Sequence, residues 1–269
     1  MSWSGGSTAA ANMGDAALAK VRAFLFDLDG TVTREDRVPA ASLAAMERLQ
    51  AAGIVTIAVT GRPAGWCDLI ARWWPVDAVI GENGALCFSR QDDGSIVRDT
   101  FFDSTPENRR RLHDIASTAT RLAEGLAPSA DNDWRICDFA VDFAEDVRGA
   151  SLSDAERVRR HFEAAGAMAK TSSIHVNAWF GDHDKQTTAR HVLAKRFGIA
   201  AGEQPDQVAY VGDAPNDEPM FAAFPLSFGV AGIRRFLPQM TAHPTMIAKG
   251  DGADGFIEIA DRLLSAKQG

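Results

Sequence analysis

Five short apolar runs recur along the chain, each closing on small or acidic residues: VRAFLFD (21–27), GIVTIAVTG (53–61), VDAVIGENG (76–84), QVAYVGD (207–213) and PLSFGVA (225–231). Runs that are apolar on both faces and bounded by Gly and Asp read as strands of a parallel sheet covered on both sides. Helical patterns lie between them. PAASLAAMERLQAAG (39–53) repeats apolar residues at 43, 46 and 49 and stops at Gly53. DKQTTARHVLAKRFG (184–198) opens acidic and ends in Lys195, Arg196 and Gly198, in keeping with the helix dipole and a left-handed C-cap. Strands alternating with helices of this length predict an α/β fold: a Rossmann-like parallel sheet with helices on both faces.

The middle of the chain has a different texture. RICDFAVDFAED (135–146) and SSIHVNAWF (172–180) alternate apolar and polar residues, as half-exposed antiparallel strands do. Between them, 151–166 reads as a helix with a capping box from Ser153 to Glu156, and 105–125 as another with Pro106 near its start. A smaller α+β domain over 86–181 is therefore expected to interrupt a core of 21–85 and 182–269. Linkers are expected near Gly84 and near Gly181-Asp182. Residues 1–20, rich in Gly, Ser and Ala, read as a flexible tail and lack the basic start and apolar segment of a signal peptide.

Composition narrows the function classes. Acidic residues outnumber basic ones by 36 to 28, a formal charge of −8, which argues against a nucleic-acid partner. Arg109, Arg110 and Arg111 read as one solvated helix face. Cys67, Cys87 and Cys137 are scattered and form no CxxC pair, so neither a disulfide framework nor a zinc site is expected, and the usage suits a reducing, cytoplasmic setting. No apolar stretch reaches the ~20 residues of a membrane helix.

In open α/β sheets ligands bind beyond the carboxyl ends of the strands. There the first run ends in Asp27, Asp29 and Thr31, the second in Thr60, Gly61 and Arg62, and the fourth in Asp213, followed by Asn216 and Asp217. Lys185 opens the helix after the insert. Several acids at one sheet edge repel one another unless a cation joins them, and oxygen donors without a His/Cys cluster favour magnesium over zinc.

These residues carry a resemblance. DLDGT (27–31), Thr60-Gly61-Arg62, the lone Lys185 and GDAPND (212–217) resemble, in order, the four motifs of the haloacid dehalogenase superfamily. The insert lies between the second and third motifs and follows ENGA (82–85), which is similar to subclass IIB, the Cof-type, sucrose-phosphate and mannosylphosphoglycerate phosphatases. The resemblance implies Mg2+-dependent hydrolysis of a small phosphorylated metabolite, a sugar phosphate, by a monomer or homodimer with neither nucleic acid nor membrane as partner. It implies that Asp27 is the nucleophile, Asp29 the general acid and base, Thr60 a phosphoryl-holding group and Lys185 a charge-neutralising one. The metal falls to the Asp27 carboxylate, the Asp29 backbone carbonyl and Asp213, with Asp217 beside them. Gly61, Arg62, Asn83, Asn177 and Asn216 fall to substrate binding. A phosphomannomutase-like phosphotransferase and a non-catalytic sugar-phosphate binder are the alternatives.

Other signals have plainer readings. DLDG as a calcium loop would place a Glu twelve positions from Asp27, where Val38 stands. GDGADG (250–255) fits a dinucleotide fingerprint formally but leaves only fourteen residues after it, too few for the required second strand, so it reads as a loop feeding the last helix. Trp73 and Trp74 read as a helix end packed on the core. His175, Asn177 and Trp179 share one strand face, which either lines the substrate pocket or faces solvent. Arg62 either holds the turn after the second strand or touches substrate.

Overall fold

The apolar runs fold as expected. In the computed structural model, which describes residues 13–102 and 105–269, the strands of the main sheet are β1 (Ala23–Phe26), β2 (Val55–Val59), β3 (Ala78–Gly81), β4 (Leu86–Arg90), β5 (Ile96–Thr100), β10 (Val208–Gly212), β11 (Leu226–Gly229) and β12 (Met246–Ile247). A second sheet holds β6 (Ala127–Pro128), β7 (Phe139–Asp142), β8 (Met168–Thr171) and β9 (His175–Trp179). The helices are α1 (Asp15–Leu18), α2 (Ala40–Ala51), α3 (Ala64–Trp73), α4 (Pro106–Ala119), α5 (Leu152–Ala164), α6 (Lys185–Phe197), α7 (Gln204–Gln207), α8 (Glu218–Ala223) and α9 (Gly252–Gln268).

The main sheet runs β12-β11-β10-β1-β2-β3-β4-β5, parallel through β3 and antiparallel beyond it. Alternate residues of each strand serve opposite faces. Phe24 and Phe26 of β1 pack with α2, α3 and α9 on one side, and Ala23 and Leu25 pack with α6 and α8 on the other. Phe256 of α9 closes on both phenylalanines at ring-centroid separations of 5.7 and 5.2 Å. Truncating one such buried ring costs about 3–5 kcal/mol. α6 ends at Gly198 in the left-handed conformation, φ 62°, as its sequence predicts. Asp251 caps α9, so GDGADG is a loop entering a helix.

The second sheet, β6-β7-β9-β8, is antiparallel throughout and packs under α4 and α5. It forms the cap expected between the second and third motifs, with corrected detail. The expected start at 86 falls inside the core sheet, because β4 and β5 pair onto β3. LCFS (86–89) is buried throughout, as the parallel runs are, so the chain leaves the core only after β5. Gly84 is accordingly no hinge. It has φ 106°, and a Cβ there would meet the Asp184 carbonyl oxygen at 2.2 Å, so this glycine lets the start of α6 approach β3. The capping box of α5 is Ser151 with Asp154, two residues before the expected pair.

Of the expected tail, residues 1–12 lie outside the described residues. Residues 13–20 are packed: Met13 and Leu18 are buried in the α2/α9 layer. Trp73 is 79% exposed at the end of α3, and only Trp74 turns to the core. The three cysteines are buried and unpaired. Among the described residues no helix is long and apolar enough to cross a membrane.

Candidate active site

Parallel pairing of β1 with β10 sets Phe26 opposite Val211, so the residues just past each strand end, Asp27 and Asp213, emerge side by side. Lys185, the first residue of α6, reaches them because the Asp184 side chain caps that helix through the Thr187 N–H. Its Nζ donates to Asp27 Oδ1 at 2.7 Å and to Asp217 Oδ1 at 2.8 Å. Asp27, Asp213, Asp217 and Lys185 are all at least 95% buried. Gly30, φ 71°, allows the approach on the open side: a Cβ there would sit 2.2 Å from Asp213 Oδ2.

The three carboxylates are provided for unequally. Asp217 accepts from Lys185, from the Tyr210 hydroxyl at 2.6 Å and from the Asp213 and Ala214 amides. Asp27 accepts from Lys185 alone, and the Asp213 carboxylate accepts no hydrogen bond from the described residues. Burial pushes Asp27 up to about 7 against the pull of Lys185. Burial and the charges of Asp27 and Asp217 raise Asp213 well above the carboxylate range. Burial works against the Lys185 charge, but Asp217 and Asp27 together hold its pKa above that of an ordinary lysine.

One ammonium thus faces three carboxylates that offer oxygen atoms within 4.8 Å of one another. A hard divalent cation fits this donor set, and the partnerless buried Oδ1 of Asn216 in the adjoining turn is a further oxygen. Asp29, expected to reach the metal through its backbone carbonyl, keeps its side chain outside the cluster. Its two oxygens take Arg62 Nε and Nη2 at 2.8 and 2.7 Å.

That pairing places Arg62 between core and cap. Its guanidinium also meets Glu145 of the cap at 2.5 and 3.1 Å and stacks 4.5 Å from the Trp66 ring. The expected substrate-binding residues Gly61, Asn83 and Asn177 do come together: a Cβ on Gly61 would lie 3.2–3.3 Å from both asparagine side chains. They form a seam between core and cap. Asn177 Nδ2 donates to the Gly61 carbonyl and, with Asn83, to Asp138. The face of His175, Asn177 and Trp179 is therefore not turned to solvent, since each is 3% exposed or less. His175 pairs with Glu145 at 2.8 Å, and Trp179 Nε1 donates to the His183 carbonyl. Thr60 is buried beside the cluster and accepts the Arg62 amide.

Two residues of this region escaped the sequence reading. Glu82, at φ 45°, is fully buried; one oxygen accepts the Ala64 and Ile136 amides and the other those of Cys137 and Asp138. Burial lifts it to about 7, with Asp138 adding to the rise and the amides opposing it. Arg135, also fully buried, forks onto Asp131, reaches Asp138 and donates to the Gly61 carbonyl at 2.8 Å. The one signal available was ENGA itself, a polar turn directly after a buried strand, in which Glu82 and Asn83 share positive φ with Gly84.

The comparisons agree with this arrangement. The family model of haloacid dehalogenase-like hydrolases matches residues 24–138. A phosphoglycolate phosphatase of Pyrobaculum neutrophilum is 26% identical over 248 residues, 91% of this chain and 96% of its own length. Among solved structures, Thermoplasma acidophilum 0175 superposes with a TM-score of 0.68 at 19% identity, over 90% of this chain and 98% of its own. The sucrose-phosphatase of Synechocystis sp. PCC6803, solved with sucrose and phosphate, superposes at 0.59 and 15% identity, over 91% and 98%. With its four motifs gathered at one sheet edge under a cap, the chain is similar, over residues 24–138, to the haloacid dehalogenase-like hydrolases.

Proposed function

We propose that this chain is a Mg2+-dependent phosphatase that hydrolyses the phosphate monoester of a small metabolite, a sugar phosphate, through an aspartyl-phosphate. The observation that carries the reading is Lys185 bridging Asp27 and Asp217 beside an Asp213 whose carboxylate has no donor among the described residues. That leaves Asp27 and Asp213 to hold the ion, with Asp217 serving to fix Lys185. Magnesium bound there supplies positive charge to the phosphoryl oxygens. The free Asp27 oxygen attacks phosphorus, and the ester bond to the leaving oxygen breaks as the acyl phosphate forms. Asp29 gives the leaving oxygen its proton and then takes one from the water that releases phosphate. Arg62 fixes the direction in which Asp29 points, and because Arg62 is also held by Glu145, that direction depends on the cap being closed. Lys185 and the groups around Thr60 and Gly61 offset and position charge, which is most of what phosphoryl transfer requires.

The relatives named above, a phosphoglycolate phosphatase and a sucrose-phosphatase, support a phosphate monoester as substrate. The test is release of inorganic phosphate from a panel of phosphorylated metabolites with magnesium present. Release by the wild-type chain and none by Asp27→Asn is the expected result. Equal release by both, or phosphate exchange between hydroxyls with no release, would defeat it.

A further inference from the structure

A cavity of about 450 Å3 is lined in part by Asp29 and Arg62. Its walls include Trp66 and Trp74 from α3 and its C-cap, and Trp134 from the cap segment; Thr33, Asp36 and Glu145 complete its polar lining. Trp134 and Trp66 are 54% and 40% exposed, an unusual outlay of large apolar surface for two residues on the same cavity. Trp134 is seated against Gly65: a Cβ there would stand 3.0 Å from Trp134 Cβ. Asp29, the proton donor in the reading above, forms part of the wall, so a leaving group bonded to the oxygen it protonates extends into this space.

The charge of the lining selects among leaving groups. Asp29, Asp36 and Glu145 are acidic, and the lone cation, Arg62, is already held by Asp29 and Glu145. A leaving group with its own carboxylate would meet like charge without a partner. A quaternary ammonium would meet an inner end already neutralised by Arg62. A ring polyol suits both features, laying C–H faces on indoles and donating hydroxyls to carboxylates.

We propose that this tryptophan-walled cavity is the leaving-group subsite, that it takes an uncharged ring polyol, and that Trp134 is its main specificity-determining residue. This rests on the phosphatase reading and goes beyond it by moving substrate choice from the cap strand His175–Trp179 to the groove between α3 and the cap segment. It also sets the chain apart from the relative named for phosphoglycolate.

The experiment measures kcat/KM for glucose 6-phosphate, phosphoglycolate, phosphocholine and acetyl phosphate, whose acyl group is too small to reach the indoles. Glucose 6-phosphate should exceed phosphoglycolate and phosphocholine by about tenfold or more. In Trp134→Ala, the ratio of glucose 6-phosphate to acetyl phosphate should fall about tenfold, through KM. Gly65→Ala, which crowds Trp134 without removing it, should move the ratio the same way. A ratio within twofold of wild type in both variants, or a preference for either charged ester, overturns the proposal. If not even acetyl phosphate is hydrolysed, the phosphatase reading has failed. The subsite is then judged by tryptophan fluorescence: a glucose 6-phosphate-dependent change that disappears in Trp134→Ala upholds it, and no change overturns it.

Discussion

The molecule buries two groups of acids, one where the cap meets the core and one at the ends of β1 and β10, and the chain treats them differently. Under the cap, Asp131 and Asp138 share Arg135, Asp131 takes Ser129 as well, and Asp138 also takes Asn83 and Asn177. Glu82 nearby is met by four backbone amides. At the ends of β1 and β10, Asp217 is equally well served, but among the described residues the Asp27 side chain has one donor and that of Asp213 none. Burying a charge without a partner costs several kcal/mol, and proteins pair buried charges where only structure is at stake. The satisfied group joins cap to core. The unsatisfied pair is left open for what binds there.

The comparison can be broken from either side. The largest effect should come from Asp27→Asn, which leaves the fold intact but lowers phosphate release by about 10³-fold or more, because an amide is not a competent nucleophile. Comparable turnover in that variant, with circular dichroism unchanged, would remove Asp27 from the chemistry. Arg135→Met should act on stability, costing about 3–5 kcal/mol in urea unfolding by leaving Asp131 and Asp138 as uncompensated charges. A loss under 1 kcal/mol would show that the joining network is dispensable.

Glu82→Gln is a smaller change to the same network. Its amide nitrogen would face two N–H donors that now meet an oxygen, at a cost of roughly 2–4 kcal/mol. The smallest effect concerns pH without divalent cation. Asp27 has its carboxyl raised from 3.8 to about 7 in the fold, so it favours folding below about pH 4 and loses that contribution as pH rises through about 7. The stability gap between wild type and Asp27→Asn should therefore move in favour of the variant across that window. A gap that is flat in pH would mean the carboxylate is not strained by burial.

The layers of this molecule were legible to different depths. Strands buried on both faces write themselves as apolar runs, and the Asp27, Thr60, Lys185 and Asp213 positions follow because each sits where such a run or a helix begins or ends. The cap boundary was misplaced because β4, buried at 86–89, has no turn signal separating it from the insert. Glu82 and Arg135 were hardly legible: the partners of one are backbone amides 18 to 56 positions away, and those of the other lie on both sides of the core–cap seam. Alternation placed His175, Asn177 and Trp179 on one face correctly. Period-two patterning cannot say whether that face meets water, ligand or another domain.

The central claim is that Asp27 and Asp213 form an incomplete cation site. It is tested most directly by thermal unfolding in chelator and across a magnesium titration, for wild type and Asp213→Asn. Wild type should gain Tm with saturable dependence on magnesium, by the linkage that favours any species binding only the native state. Asp213→Asn should start at an equal or higher Tm in chelator and gain little. Equal magnesium-dependent gains in the two proteins, or none in wild type, would contradict the account.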